Sequence, residues 1–146
     1  MQDNLEFIGQ TQFGGPTPKN EADIKYWEYW ISNDGKLFKG RSDTDTLVEV
    51  NMALTSNNKY KGTRYGGYYA APTNKLPEKY IHRMVASAFV HNDDPATKTC
   101  VDHIDGDKHN NHYTNLEWVT RSENHKRMHA RLRAEGIKWT GRIARL

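Results

Sequence analysis

The chain has 146 residues, a net charge of +3 and 36% apolar residues, which fits one domain plus a small accessory module and excludes a large core. Its single cysteine, Cys100, excludes an intramolecular disulfide and a four-cysteine zinc site, and it fits a reducing, cytoplasmic setting. No apolar run approaches the length of a membrane span and the N-terminus lacks the basic-then-apolar order of a signal peptide, so we expect no membrane partner.

The first part of the chain divides into a leader and a strand-rich stretch. Residues 1–25 carry turn-forming Gly and Pro and no sustained periodicity, which predicts a flexible leader. Residues 26–80 predict a β-rich module. It opens with a hairpin over Tyr26–Lys39, because alternating aromatic and apolar residues flank an Asn33-Asp34-Gly35 turn. The further elements expected there are strands at Leu47–Val50 and Arg64–Ala71 and a polar loop at Asn51–Gly62.

The period of the apolar residues then changes. Ile81–Val90 has helical spacing and one apolar face. Two short strands follow at Val101–Ile104 and Leu116–Val119, separated by a polar loop. Thr120 and Glu123 form a capping box that begins a second helix, and Gly136 is its natural stop. The sequence therefore predicts an α+β protein whose second domain spans residues 81–136.

Basic residues concentrate at the C-terminal end of the chain. Residues 1–120 hold 13 Lys and Arg against 16 Asp and Glu, whereas residues 121–146 hold 8 against 2. A cationic segment gains free energy by releasing counterions from a polyanion, so this asymmetry indicates a nucleic-acid partner. A solvated helical face explains the same charges equally well. The last ten residues, 137–146, are predicted to be a basic tail.

The residues that carry chemistry lie in the strand–loop–strand–helix stretch. Asp102 and His103 are neighbours at the end of the first strand, and Asn124 lies in the first turn of the following helix. Phosphodiester hydrolysis needs a base with a pKa near the working pH, which histidine supplies, and a hard divalent cation, which Asp and Asn oxygens hold. An Asn that hydrogen-bonds backbone across the loop can provide the rigid frame that keeps the base in position.

The same residues resemble the HNH endonucleases (the ββα-metal class), in the branch common in phages and mobile introns. The similarity lies in Asp102-His103-Ile104-Asp105-Gly106, in Asn115-Leu116-Glu117-Trp118-Val119-Thr120 and in Glu123-Asn124. The stretch Ile81–Phe89 is similar to the helix that precedes this motif, and Trp30–Leu37 is similar to a small module often found before it. The resemblance covers roughly residues 29–136.

The resemblance implies a fold, an activity and a set of roles. The fold would be a ββα-metal nuclease unit preceded by a small β-rich module and a helix. His103 would be the general base, Asp102 and Asn124 would bind one Mg²⁺ or Mn²⁺ ion, and Asn115 would hold the loop and orient His103. The substrate would be double-stranded DNA, nicked or cut through, with 5′-phosphate and 3′-hydroxyl ends. Asn124 stands where the family often has His, which favours Mg²⁺ over Zn²⁺.

Several alternatives remain open at this stage. With the second helix assigned to the site, phosphate contact is the better interpretation for some of its five cations, and all five are candidates for DNA binding: Arg121, Lys126, Arg127, Arg131 and Arg133. His125 and His129 have i, i+4 spacing, which with Cys100 raises a zinc-stabilised interaction protein as a rival. A DNA-binding module that keeps the fold without cutting, and cleavage of RNA, are the other rivals.

Overall fold

The structure is a computed structural model, and it describes residues 4–12, 20, 25–54, 68–73, 75–134 and 136. Six strands precede the first helix, and a strand–strand–helix unit follows it. The elements, in chain order, are β1 Leu5–Gln12, β2 Tyr26–Ser32, β3 Leu37–Arg41, β4 Leu47–Glu49, β5 Ala53–Leu54, β6 Tyr69–Ala70, α1 Ile81–Phe89, β7 Cys100–His103, a short 3-10 helix Tyr113–Asn115, β8 Leu116–Val119 and α2 Arg121–Ala134.

The N-terminal module is an antiparallel sheet in which strands follow one another in the order β1-β2-β3-β4. The hairpin expected around Asn33-Asp34-Gly35 is confirmed, with Ile31 of β2 opposite Leu37 of β3. Gly35 has φ of +89°, the left-handed backbone that glycine adopts without strain. Strand β4 also lies where the sequence predicts it.

Two of the sequence expectations for this module are wrong. Strand β1 runs through the expected flexible leader and pairs with β2 from Leu5↔Ser32 to Gln12↔Tyr26. Pairing with a neighbouring strand satisfies the backbone whatever the side-chain pattern, so a segment without periodicity still forms a strand. The expected loop also contains a strand, β5, which pairs with β6. The remainder of that loop at 55–62, the predicted strand residues 64–67 and the basic tail 137–146 lie outside the described residues.

Helix α1 joins the N-terminal sheet to the unit that follows. Its apolar face is fully buried through Ile81, Met84 and Val85. These side chains belong to one core together with Ile31 and Leu37 of the sheet and with other side chains of both halves, among them Tyr29, Val101 and Leu116. The N-terminal module and the segment after it therefore share a single hydrophobic core.

The strand–strand–helix unit forms as the sequence predicts. Strands β7 and β8 pair antiparallel, with Asp102 opposite Glu117 and His103 opposite Leu116. Helix α2 begins with the predicted capping box, in which the Glu123 N–H donates to the Thr120 hydroxyl at 3.1 Å and the Thr120 N–H donates to the Glu123 carboxylate at 2.9 Å. Across the described residues, no helix has the length and apolar character that a membrane span requires.

Candidate active site

The imidazole of His103 is buried at the end of β7, with 5% of the residue exposed. Its Nε2 lies 2.8 Å from Oδ1 of Asn111, an oxygen that can only accept, so Nε2 carries the ring proton. Nδ1 has no hydrogen-bond partner among the residues that the structure describes and is the nitrogen left to accept a proton. Burial lowers the pKa of His103 below 6.5, although Asn111 and neighbouring carboxylates oppose this shift, so the ring is neutral at pH 7.

Asn111 was not among the site residues expected from the sequence, and it is the residue that orients His103. It is 5% exposed and lies in the loop between β7 and the 3-10 helix, residues 104–112, which we call the site loop. A histidine side chain that donates one ring N–H to a fixed acceptor keeps both its tautomer and the orientation of its ring. An Asn in a polar loop carries no signal of this role in a single sequence, because Asx turns explain it equally well.

A stack of aromatic rings covers the other side of His103. The rings of His82 and His103 have centroids 5.1 Å apart, and the Tyr68 ring stacks on His82 at 4.7 Å. His82 is 8% exposed, and burial, with a contribution from the charges of His103 and Arg83, lowers its pKa to about 3. His82 is therefore a neutral ring that packs against His103.

Asn115 holds the site loop from inside. Its Oδ1 accepts from the backbone N–H of Asp105 at 3.1 Å, and its Nδ2 donates to the Asp105 carboxylate and to the Asn110 carbonyl, each at 2.9 Å. Hydrogen bonds from Asn110, from the backbone of Asp107 and from Asn115 lower the pKa of Asp105 to about 2. The side chain of Asn115 thus frames the loop, and the contact with the His103 ring comes from Asn111.

Asp102 faces helix α2, on the side of β7 away from the His82 stack, as expected for successive residues of a strand. It is 4% exposed, and both of its carboxylate oxygens are bonded to guanidinium groups. Arg131 donates to Oδ1 at 2.9 Å and to Oδ2 at 3.1 Å, and Arg127 donates to Oδ2 at 2.9 Å. Burial raises the pKa of Asp102, but the hydrogen bonds from the two arginines outweigh it, and the net pKa lies below 3.8.

Asn124 shares a helix face with those two arginines. Positions 124, 127 and 131 recur at three- and four-residue spacing, which places them on one side of α2, the side that Asp102 contacts. Asn124 lies one turn before Arg127, near the entrance of the helix. A carboxylate from β7 and an amide from α2 are oxygen donors of the kind that Mg²⁺ and Mn²⁺ take, so the residue types fit the expected metal, while both carboxylate oxygens are bonded to arginines in this structure.

The five cations proposed to contact DNA divide into two groups. Arg127 and Arg131 are turned towards the β7–β8 unit, where Arg127 also donates to Glu117 at 2.7 Å. The other three are exposed on α2: Arg121, Lys126 and Arg133. The structure therefore leaves three of the five side chains open to solvent and pairs two with acidic side chains.

The zinc alternative finds no support in the part of the chain that the structure describes. The rings of His125 and His129 do lie close, with centroids 4.2 Å apart. Within the described ranges, however, no three His, Cys, Asp or Glu side chains converge in a way that could hold a metal ion. A structural zinc ion usually needs four such ligands.

Comparison with known proteins gives the same family as the residues do. A family model described as HNH endonuclease matches residues 79–126. The uncharacterized HNH endonuclease L247 of Acanthamoeba polyphaga mimivirus is 39% identical over 101 residues, which are 66% of this chain and 22% of that protein. A SPbeta prophage-derived protein of Bacillus subtilis, YosQ, carries the name of an HNH homing endonuclease and is 43% identical over 84 residues, which are 56% of this chain and 47% of that one. The chain spans less than half the length of these relatives.

The fold is that of a solved nuclease. The HNH homing endonuclease I-HmuI, described in terms of DNA binding and cleavage, superposes with a TM-score of 0.53 and 24% identity, over 77% of this chain and 56% of that chain. This likeness confirms the α+β fold class, with a β-rich region before the ββα unit. The segment at residues 79–126 matches the HNH endonuclease family, and the chain is similar to proteins that carry that family's name.

Proposed function

We propose that the chain is a divalent-metal-dependent DNA endonuclease in which His103 is the general base. The observation that carries the proposal is the state of that imidazole: buried, neutral, fixed through Nε2 by Asn111 and left with Nδ1 to accept a proton. Buried polar atoms are ordinarily hydrogen-bonded, whereas Nδ1 of this ring has no such partner among the described residues.

The metal assignment rests on the donors that flank the base. Nucleases of the HNH family generally depend on a divalent metal ion. Asp102 and Asn124 would hold a single Mg²⁺ or Mn²⁺ ion here, and Asn115 would keep the site loop in shape. When bound, the ion would polarise the phosphate and stabilise the leaving oxygen, giving 5′-phosphate and 3′-hydroxyl ends.

Double-stranded DNA is the proposed substrate because of where the positive charge lies. Arg121, Lys126 and Arg133 are exposed along α2, and their guanidinium and ammonium groups suit phosphate oxygens. Such contacts position a duplex without reading its sequence.

The test is cleavage of supercoiled plasmid with Mg²⁺, Mn²⁺ or EDTA, comparing the native chain with His103→Ala. We expect metal-dependent nicked or linear product, and a loss of about 100- to 10,000-fold in rate for the variant with DNA binding retained. A non-catalytic DNA-binding module would instead shift the plasmid on a gel and leave it intact under all three conditions. Equal cleavage by native protein and variant would show that the base is another residue.

A further inference from the structure

The arginines that bond Asp102 cover both carboxylate oxygens of a residue proposed to hold the metal. Arg131 Nη1 donates a hydrogen bond to Oδ1 at 2.9 Å, and both Arg131 and Arg127 donate to Oδ2. With the residue 4% exposed, neither carboxylate oxygen is open to an incoming cation. A divalent ion that approached would also meet two positive charges.

The two arginines are held differently. Arg127 bridges Asp102 and Glu117 through one nitrogen, so it keeps a carboxylate partner if Asp102 is lost. Among the described residues, Arg131 forms its ion pair with Asp102 alone and otherwise donates to backbone oxygens, to His103 at 2.8 Å and to Ile104 at 3.4 Å. Arg131 is thus the residue whose movement frees Oδ1 while Arg127 stays on Oδ2.

The contacts around Arg131 hold its guanidinium group in a defined position beside Asp102. The guanidinium group lies across Gly106 of the site loop, whose φ is +77°, and a Cβ added there would meet Arg131 Nε at 3.3 Å. At the same time the Arg131 side chain is 37% exposed on a helix that carries Arg133 and Lys126. The planar guanidinium fork fits a phosphate as well as a carboxylate, so a DNA strand on α2 offers Arg131 an alternative partner.

We propose that Arg131 blocks the metal site in the free protein and that a DNA phosphate draws it away from Asp102, so that the cation binds more tightly when DNA is bound. This inference rests on the proposed function. DNA and metal are then linked through one carboxylate: each ligand raises the affinity for the other by freeing a group that the Asp102–Arg131 ion pair had occupied.

The first experiment measures Mn²⁺ binding to the free protein by isothermal titration calorimetry. We expect Arg131→Gln to bind Mn²⁺ more tightly than the native chain by about 10-fold, within the range usual for such coupling. Arg127→Gln should have a smaller effect, because Arg131 still covers Oδ1. Arg133→Gln is the matched control: it removes the same charge from the same helix without touching Asp102, so its Mn²⁺ affinity should stay within about 2-fold of native.

The second experiment measures the other half of the linkage in EDTA, as binding of a fluorescein-labelled mixed-sequence duplex by anisotropy. Asp102→Asn releases Arg131, so DNA binding should tighten by about 5-fold or more. Loss of a negative charge near DNA also tightens binding, and the double variant Asp102→Asn/Arg131→Gln separates the two effects. If Arg131 carries the gain, Asp102→Asn changes little in the Arg131→Gln background.

Three outcomes decide between the proposals. Tighter Mn²⁺ binding in Arg131→Gln together with an Arg131-dependent gain in DNA binding supports the gate. Equal Mn²⁺ affinity in native protein and Arg131→Gln, with binding lost in Asp102→Asn, overturns the gate and leaves the metal site standing. A Mn²⁺ affinity that does not change when Asp102 is substituted, in any of the variants, overturns the metal assignment itself. Urea unfolding checks each fold, and Arg131→Lys, which keeps the charge but not the fork, replaces Arg131→Gln if the latter unfolds.

Discussion

At the scale of single residues, the contact between Asn111 and His103 has the clearest consequence for rate. Asn111→Ala removes the acceptor that fixes the His103 ring, so neither the tautomer nor the orientation of the proposed base is held. We expect cleavage to slow by about 10- to 100-fold, part of what a well-placed base contributes. Single-turnover plasmid nicking measures the rate, and calorimetry should show unchanged Mn²⁺ affinity.

A matched control for Asn111 exists elsewhere in the chain. Asn92 donates its side-chain amide to the Lys98 carbonyl at 2.8 Å, in the loop between α1 and β7. Asn92→Ala should cost stability of the same order, about 1 kcal/mol, and leave the nicking rate unchanged. A rate loss of equal size in both variants would mean that Asn111 acts through stability alone.

His82 gives the protein a pH-dependent stability. Its pKa is lowered from 6.5 in the unfolded chain to about 3 in the fold, mainly by burial, so the unfolded state binds the extra proton between these two values. The contribution of neutral His82 to the free energy of unfolding is fully present above about pH 6.5 and is lost as pH falls towards 3, at up to about 1.4 kcal/mol per pH unit. In His82→Phe, which keeps an aromatic ring against Tyr68, this slope should flatten. Urea unfolding at several pH values measures it, and an unchanged slope would contradict the assignment.

The candidate site could be predicted from the sequence only where its residues lie in one short motif. Asp102, His103, Asn115 and Asn124 are close in sequence and have residue types that suit the chemistry, and they stay the proposed site. His82 and Asn111 reach His103 through tertiary packing, from α1 and from the site loop, which no local pattern encodes. The inward orientation of Arg127 and Arg131 was also invisible, because spacing gives the face of a helix but not the partner.

At the scale of elements, the β2–β3 turn supports the site loop. The Tyr113 N–H donates to the Asn33 carbonyl at 2.8 Å, and a Cβ added at Gly35 would lie 2.7 Å from Cβ of Asn111. The β2–β3 hairpin thus touches Asn111, the residue whose side chain is bonded to the proposed base. Sequence patterns predicted the hairpin and the loop separately, and the contact between them comes only from the fold.

Gly35→Ala tests this contact. The substitution places a methyl group against Asn111 and strains a backbone with φ of +89°, so it should destabilise the protein by about 1–3 kcal/mol. Below the unfolding temperature we also expect slower nicking, because Asn111 must shift. For comparison, Gly136→Ala, whose φ is +78° with no neighbour within 4 Å of the added Cβ, should cost stability without slowing the reaction. Equal rates for both variants would rule out the coupling.

The capping box sets where α2 begins, and Asn124 lies in that first turn. Thr120→Ala removes the hydroxyl that accepts from the Glu123 N–H, at a cost of about 1 kcal/mol. Fraying of the first turn should also weaken Mn²⁺ binding if Asn124 is a ligand. Thermal unfolding and Mn²⁺ calorimetry measure the two effects, with Thr44→Ala, an exposed residue of the N-terminal module, as control. Unaltered Mn²⁺ affinity would argue against Asn124.

At the scale of the whole molecule, the segment that matches the family model shares its hydrophobic core with the N-terminal sheet. The family model matches residues 79–126, yet α1 buries Ile81, Met84 and Val85 in the same cluster as side chains of β2 and β3. The sequence predicted separate domains at 26–80 and 81–136, since hydrophobic periodicity locates faces but does not say which faces meet. That division stays a prediction, and the shared core argues for one folding unit.

A fragment of residues 79–146 tests the dependence. Without the N-terminal sheet, the apolar face of α1 is exposed and the remaining core is small, so we expect no cooperative unfolding transition and no nicking. Far-UV circular dichroism during a urea titration, alongside the full chain, gives the measurement. A sharp transition in the fragment would show that the ββα unit is self-sufficient.

The hydrogen bonds of the site loop should slow the exchange of its backbone amides as those of a β-strand do. The amides of Ile104 and Gly106 donate to the carbonyls of Asn115 and His103, each at 2.8 Å, while Asp105 donates to the Asn115 side chain. Deuterium should therefore enter these three amides slowly in the free protein, close to the rate set by global unfolding. Because the loop is already ordered in the free protein, binding of a duplex would cost almost no conformational entropy in this segment.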